Sequence, residues 1–152
     1  MKFTKATLVV SVLALAGLAI ARTAEGHEEE GDPANDRITG GGWILNDAGN
    51  KCTFSVGGAI KNGQPWGHLN FIDHETGMHV KAHTMMSYTM INTNERRMQG
   101  HCTINGEGDY GFTVFAADNG EPGSKDTFHL FIQTMYHAGG KLGGGNLQLH
   151  KN

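Results

Sequence analysis

Apolar and polar positions alternate through the chain from Ile38 onward, the period of two that marks strands with one face on a core. Residues 51–60 alternate cleanly, with Cys52, Phe54 and Val56 on one side. Before them, residues 43–45 end at the turn cluster Asn46-Asp47-Ala48-Gly49-Asn50. Residues 66–73 follow, and then a long run with Met78, Val80, Ala82, Thr84, Met86, Tyr88 and Met90 on one face, long enough to carry a bulge. Residues 97–104, the trio Tyr110, Phe112 and Val114, the set Phe128, Leu130, Ile132 and Tyr136, and finally Leu147 and Leu149 complete the pattern. Asn62-Gly63 and Asn105-Gly106 are hairpin signals, because both residues tolerate the positive φ of tight hairpin turns. Glu75-Thr76-Gly77, Asn92-Thr93-Asn94-Glu95 and the stretch 118–124 supply further turns. No helical period longer than two turns occurs after residue 21. The pattern predicts an all-β fold, an antiparallel β-sandwich or flattened barrel of about eight strands spanning 37–152.

The first 36 residues read differently. Lys2 and Lys5, an apolar stretch from Leu8 to Ile20, and Ala19-Ile20-Ala21 form the pattern of a secretory signal peptide over 1–21. The apolar run of about 15 residues is shorter than the ~20 that span a bilayer, so no membrane span is expected in the mature chain. Residues 22–36 hold six acids against Arg22 alone and read as a disordered acidic leader. The chain is therefore expected to be secreted, to the periplasm or the exterior.

Charge narrows the partners. Residues 37–152 carry nine acids and nine bases, and a neutral domain lacks the basic face that nucleic-acid binding needs. The 23 glycines follow no triplet, which excludes collagen. Cys52 and Cys102 are the only cysteines, both on the apolar side of their strands. An oxidising compartment favours pairing them, and the closed loop of about 50 residues would stabilise by ~4 kcal/mol. The other reading is two separate buried thiols.

Several segments together resemble one family, the first type of post-choice-of-anchor domain of bacterial surface and secreted proteins. They are Ile38-Thr39-Gly40-Gly41-Gly42-Trp43-Ile44; Gly67-His68-Leu69 with Asp73-His74 and Thr76-Gly77; Ile104-Asn105-Gly106-Glu107-Gly108 with Tyr110 and Phe112; Asp118-Asn119-Gly120-Glu121-Pro122-Gly123 with Asp126-Thr127-Phe128; and Gly144-Gly145-Asn146-Leu147 with His150. The resemblance spans nearly all of 38–151 and implies an extracellular β module with no established catalytic activity. The cysteine pair is an addition to the family pattern. The two glycine runs also suggest that the first and last strands pair, bringing Gly40–Gly42 near Gly143–Gly145.

Candidate chemistry is sparse. Nine histidines invite a transition-metal reading, with His74 and His79 flanking a turn and His68 or His83 joining from another strand to hold zinc or copper. His74-Glu75-Thr76-Gly77-Met78-His79 lacks the zinc-protease spacing, and Thr76-Gly77 breaks a helix. Met78, Met86 and Met90 fall on the apolar face and read as core. Trp43 and Trp66 read as buried core residues, with a sugar-stacking platform as the alternative. Asp118, Asn119, Glu121 and Asp126 crowd oxygens into a glycine- and proline-shaped loop, the set best suited to calcium. The favoured reading is a tight turn in which Asp118 and Asp126 accept backbone N–H bonds. No Gly-x-Ser-x-Gly elbow and no phosphate-cradling loop is present, so an enzyme is not expected. The expected function is a secreted, non-catalytic β-sandwich module, structural or adhesive, that binds a protein or glycan at the cell envelope. An envelope protein binding zinc or copper and a small secreted hydrolase are the alternatives.

Overall fold

The computed structural model describes residues 35–151, so the stretch read as a signal peptide and nearly all of that read as an acidic leader lie outside the described residues. Among the described residues there are nine strands: β1 Asp36–Leu45, β2 Lys51–Lys61, β3 Gln64–Asp73, β4 Met78–Met90, β5 Glu95–Ile104, β6 Glu107–Ala117, β7 Thr127–Ile132, β8 Tyr136–Lys141 and β9 Gly144–Lys151. The first of them begins at Asp36, the last residue of the stretch that reads as leader. The one helical segment among the described residues is a three-residue 3-10 turn, Gly123–Lys125.

All nine strands belong to one antiparallel sheet in the order β8-β7-β6-β5-β4-β3-β2-β1-β9. The all-β antiparallel expectation holds, but of its two forms the sandwich is not found: the strands make a single curled sheet, a half-barrel. Its curl is visible in the chain path. β8 and β9 lie at opposite edges, yet only Leu142 and Gly143 connect them. From Lys141 to Gly144 is three residue steps, a reach of at most ~11 Å, so the edges must approach at that end. Gly143 N–H donates to Trp43 O at 2.9 Å, and Asn46 bridges to Ala138 there. Across the interior, Phe54 of β2 stacks on Phe128 of β7 with ring centroids 3.8 Å apart.

The ninth strand was hidden in the sequence. Tyr136 does not extend the strand of Phe128; it opens β8 after a turn at 133–135. That turn contains no glycine, proline, asparagine or aspartate, and Met135 itself takes φ +71. The two Asn-Gly hairpins behave as their residues dictate, with φ of 52 and 74 at Asn62 and Gly63 and 53 and 78 at Asn105 and Gly106. β1 and β9 do pair, Gly42 opposite Gly145 and Asp36 opposite Lys151. Glycine is required where this seam opens because the Trp43 side chain crowds Gly143 and Gly144. A Cβ on Gly143 would come within 2.1 Å of its ring.

β4 contains two bulges, at Ala82/Thr84 and Met85/Ser87. Each adds one residue and shifts the side-chain phase. Met85 packs against the core instead of Thr84, and Met86, read as core from its spacing, is 60% exposed. Tyr88 then returns inside. Trp66 is also exposed, contrary to the core reading.

Cys52 and Cys102 are both buried, and they are not bonded. They sit on β2 and β5, with β3 and β4 between them. Cys52 Sγ lies against Asn50 O and Tyr136 OH and Cys102 Sγ against Tyr110 O, so the two sulfurs turn to different partners. The alternation correctly turned both sulfurs inward, but facing one core is not the same as being neighbours. Burial pushes the Cys52 thiol up and the Cys102 thiol to about 11, which suppresses the reactive thiolate. The purified protein should carry two free thiols that alkylate only after denaturation. An intact mass lower by two hydrogens would overturn this placement.

Candidate functional site

Alternate residues from every strand fill the interior with apolar side chains. Two of its buried polar groups, Arg96 and Asp73, centre hydrogen-bonded networks at the ends of the curl. At one end the Arg96 guanidinium pairs with Asp36, Nη2 to Oδ2 at 2.6 Å, and donates from Nη1 to Asn92 O and Glu95 O. Tyr88 OH donates to Asp36 at 2.7 Å. Burial, then the Asp36 carboxylate, holds the Tyr88 phenol well above its ordinary value. At the other end Asp73 accepts from Asn46 Nδ2, Tyr136 OH and the N–H groups of Glu75 and Thr76. Burial alone would raise the Asp73 carboxyl, but these four donors outweigh it and hold the group below the usual range. Both networks spend their polar atoms on closing the fold.

The 118–126 loop is likewise engaged. Asp126 is fully buried and accepts Asn119 N–H on Oδ1 and Leu147 N–H on Oδ2, both at 2.8 Å. Asp118 accepts Gly120 N–H at 3.1 Å and Leu149 N–H at 2.8 Å. Asn119 donates to Lys125 O, and Glu121 accepts from Asn146. Both aspartates therefore bond backbone amides within the loop, and each adds a bond to β9 that spacing could not show. The loop's carboxylates face N–H donors, not a common centre.

The histidines lie elsewhere. Eight fall among the described residues and none of them is buried. His74 pairs with Thr53 Oγ1 at 2.8 Å, His79 with Asn70 Oδ1 at 3.3 Å and His68 with Ser55 Oγ at 3.2 Å. His74 and His79 thus turn to different strands. Among the described residues no three or more His, Cys, Asp or Glu groups are arranged to hold one ion. The nearest approach is His83, His101 and Asp109 on β4, β5 and β6. There Asp109 Oδ1 sits between the imidazoles at 2.9 Å from each. Those hydrogen bonds, that of His101 foremost, hold the exposed Asp109 carboxyl below its ordinary range.

A second pair spans β7 and β8. His129 Nδ1 and His137 Nε2 face each other at 3.4 Å, and His137 Nδ1 contacts Asp47 Oδ1 at 2.9 Å. Burial, and then the neighbouring His137, holds the His129 imidazole below its ordinary value. Phe131 lies against His137 with centroids 4.4 Å apart and meets Phe115 edge-on.

Next to this cluster runs an open groove of about 600 Å³ on the outer face. Met86, Ser87, Gln99, Thr113, Phe131 and Gln133 line it, and no charged residue does. Ser87, Gln99 and Thr113 are linked by hydrogen bonds of 3.3 Å across three strands. The second bulge of β4 brings Met86 to this face. None of these residues but Met86 carried a sequence signal, because outward positions on different strands become neighbours only once the register is known.

Comparison with known proteins found no match, either to a family model, to a curated protein or to a solved structure. The resemblance to the post-choice-of-anchor domain rests on its motifs alone. Among the described residues no helix is long and apolar enough to cross a membrane.

Proposed function

We propose that the chain is a secreted, non-catalytic β module of the post-choice-of-anchor kind that binds a protein or glycan at the cell envelope through its outer sheet face. One observation carries the reading. The groove between Met86 and Phe131 offers an exposed aromatic ring, amides and hydroxyls with no ion among its lining residues. An aromatic face beside uncharged donors and acceptors suits a neutral polyhydroxylated chain, which favours a glycan over a charged partner. The closed polar networks inside the curl supply stability and leave the outer face for recognition.

The test is retention of the purified protein on cell-wall polysaccharide and on envelope protein, each immobilised separately. Phe131→Ala and Gln99→Ala should each weaken retention on polysaccharide about tenfold or more, a loss of ~1.4 kcal/mol. Both side chains point outward, so thermal stability should change little. Retention on envelope protein alone, with the same two losses, would replace the glycan by a protein partner. Binding to both supports untouched by either variant would remove the groove from the function.

A further inference from the structure

We propose that His129 and His137 form a two-histidine site for a late first-row divalent ion, zinc in the first instance, with Asp47 as the carboxylate that orients His137. The residues come together because β7 and β8 form a hairpin in which His137 stands opposite Phe131, making His129 its diagonal neighbour on the same face. Their facing nitrogens are 3.4 Å apart. That is long for an N–H···N hydrogen bond. It is also the separation that two Zn–N bonds of ~2.0–2.1 Å subtend at a tetrahedral angle, ~3.4 Å.

The surroundings hold both rings for this task. Metal-bound imidazoles generally give their other nitrogen to a carboxylate, which fixes the tautomer and raises ligand basicity. The 2.9 Å contact of His137 Nδ1 with Asp47 is such a contact. With the proton on Nδ1, the lone pair of His137 Nε2 points at His129. His129 needs only to carry its proton on Nε2 for Nδ1 to ligate. Phe131 packs against the His137 ring. The His129 ring stands over Gly139, where a Cβ would come within 2.4 Å of Nδ1. Gly139 therefore leaves room for the ring at that position.

Two protein ligands leave two tetrahedral positions for water or for a group from a bound partner. The Asp109 cluster differs, since its carboxylate already fills the space between His83 and His101. The site touches the groove through Phe131, but neither histidine lines the groove, so its failure would leave the binding function standing.

The experiment titrates the untagged protein with zinc chloride and follows the imidazole C–H resonances, with calorimetry for stoichiometry. One ion per chain should perturb the His129 and His137 rings together. His129→Gln and His137→Gln should each weaken binding at least tenfold. Asp47→Asn, on an exposed turn, should weaken it about tenfold with the stoichiometry intact, as loss of an orienting carboxylate does elsewhere. His83→Gln and His74→Gln should leave it unchanged. Absence of zinc binding at millimolar concentration, or an affinity unaltered in His129→Gln and His137→Gln, would overturn the assignment. Equal weakening by His83→Gln would do so too.

Discussion

Asp36→Ala should lower the unfolding free energy by about 3–5 kcal/mol, the cost of stranding a buried cation. Arg96 is 1% exposed, and Asp36 meets it through two contacts, at 2.6 and 3.3 Å. Without the carboxylate the guanidinium keeps two carbonyl partners, Asn92 O and Glu95 O, but no counter-charge, and the Tyr88 hydroxyl loses its acceptor. The pair also joins β1 to β5 across the curl, strands separated by three others in the sheet. A total stability of 5–15 kcal/mol makes this loss about a fifth or more of the whole. Adding Arg96→Met should recover much of it, because an apolar side chain fills the volume without a charge to strand. Urea midpoints of the single and double variants measure both effects. A loss below about 1 kcal/mol, the scale of a surface ion pair, would mean that water reaches the guanidinium.

This network shows what a sequence conceals. Asp36 and Arg96 lie 60 positions apart, and Asp36 reads as the end of an acidic leader. Periodicity reports which side of a strand a residue takes; it does not report which strand lies opposite. Hence Cys52 and Cys102 were legible as inward-facing while their separation by two strands was not. The Asn-Gly turns announced two hairpins because positive φ selects those residues. The turn before Tyr136 stayed silent because Met135 takes a positive φ without the residue type that signals it. That one missed turn hid β8, and with it the His129–His137 pair, whose eight-residue spacing becomes proximity only across a hairpin. The bulges of β4 acted similarly: a long strand suggested one, but its position, which sends Met86 outward, depends on pairing with β5. The aspartates of the 118–126 loop were legible because half of their bonds are local.

The other half of those bonds sets the second large effect. Asp126→Ala should cost about 1–3 kcal/mol, the cost of one unpaired buried donor, because two N–H groups lose their acceptor but only that of Leu147 is buried. One donor is Asn119 within the loop, and the other is Leu147 on β9. Leu147 and Leu149 are two apart, so their N–H groups point the same way along the strand edge. Asp126 and Asp118 accept them both at 2.8 Å. The carboxylates thus stand where a further strand would supply carbonyls, and they cover an edge that would otherwise recruit another chain. Gly123 permits the approach, because a Cβ there would come within 2.3 Å of Gly145 O. Asp126→Asn keeps one oxygen but turns an NH2 group toward the other donor. It should cost less than alanine and more than nothing. Thermal melts with calcium and with chelator separate this structural role from ion binding. With the carboxylates committed to backbone donors, the wild-type curves should coincide. A rise of several degrees with calcium, lost in both variants, would instead place the ion among Asp118, Asn119, Glu121 and Asp126, because a ligand that binds only the folded chain raises its melting temperature.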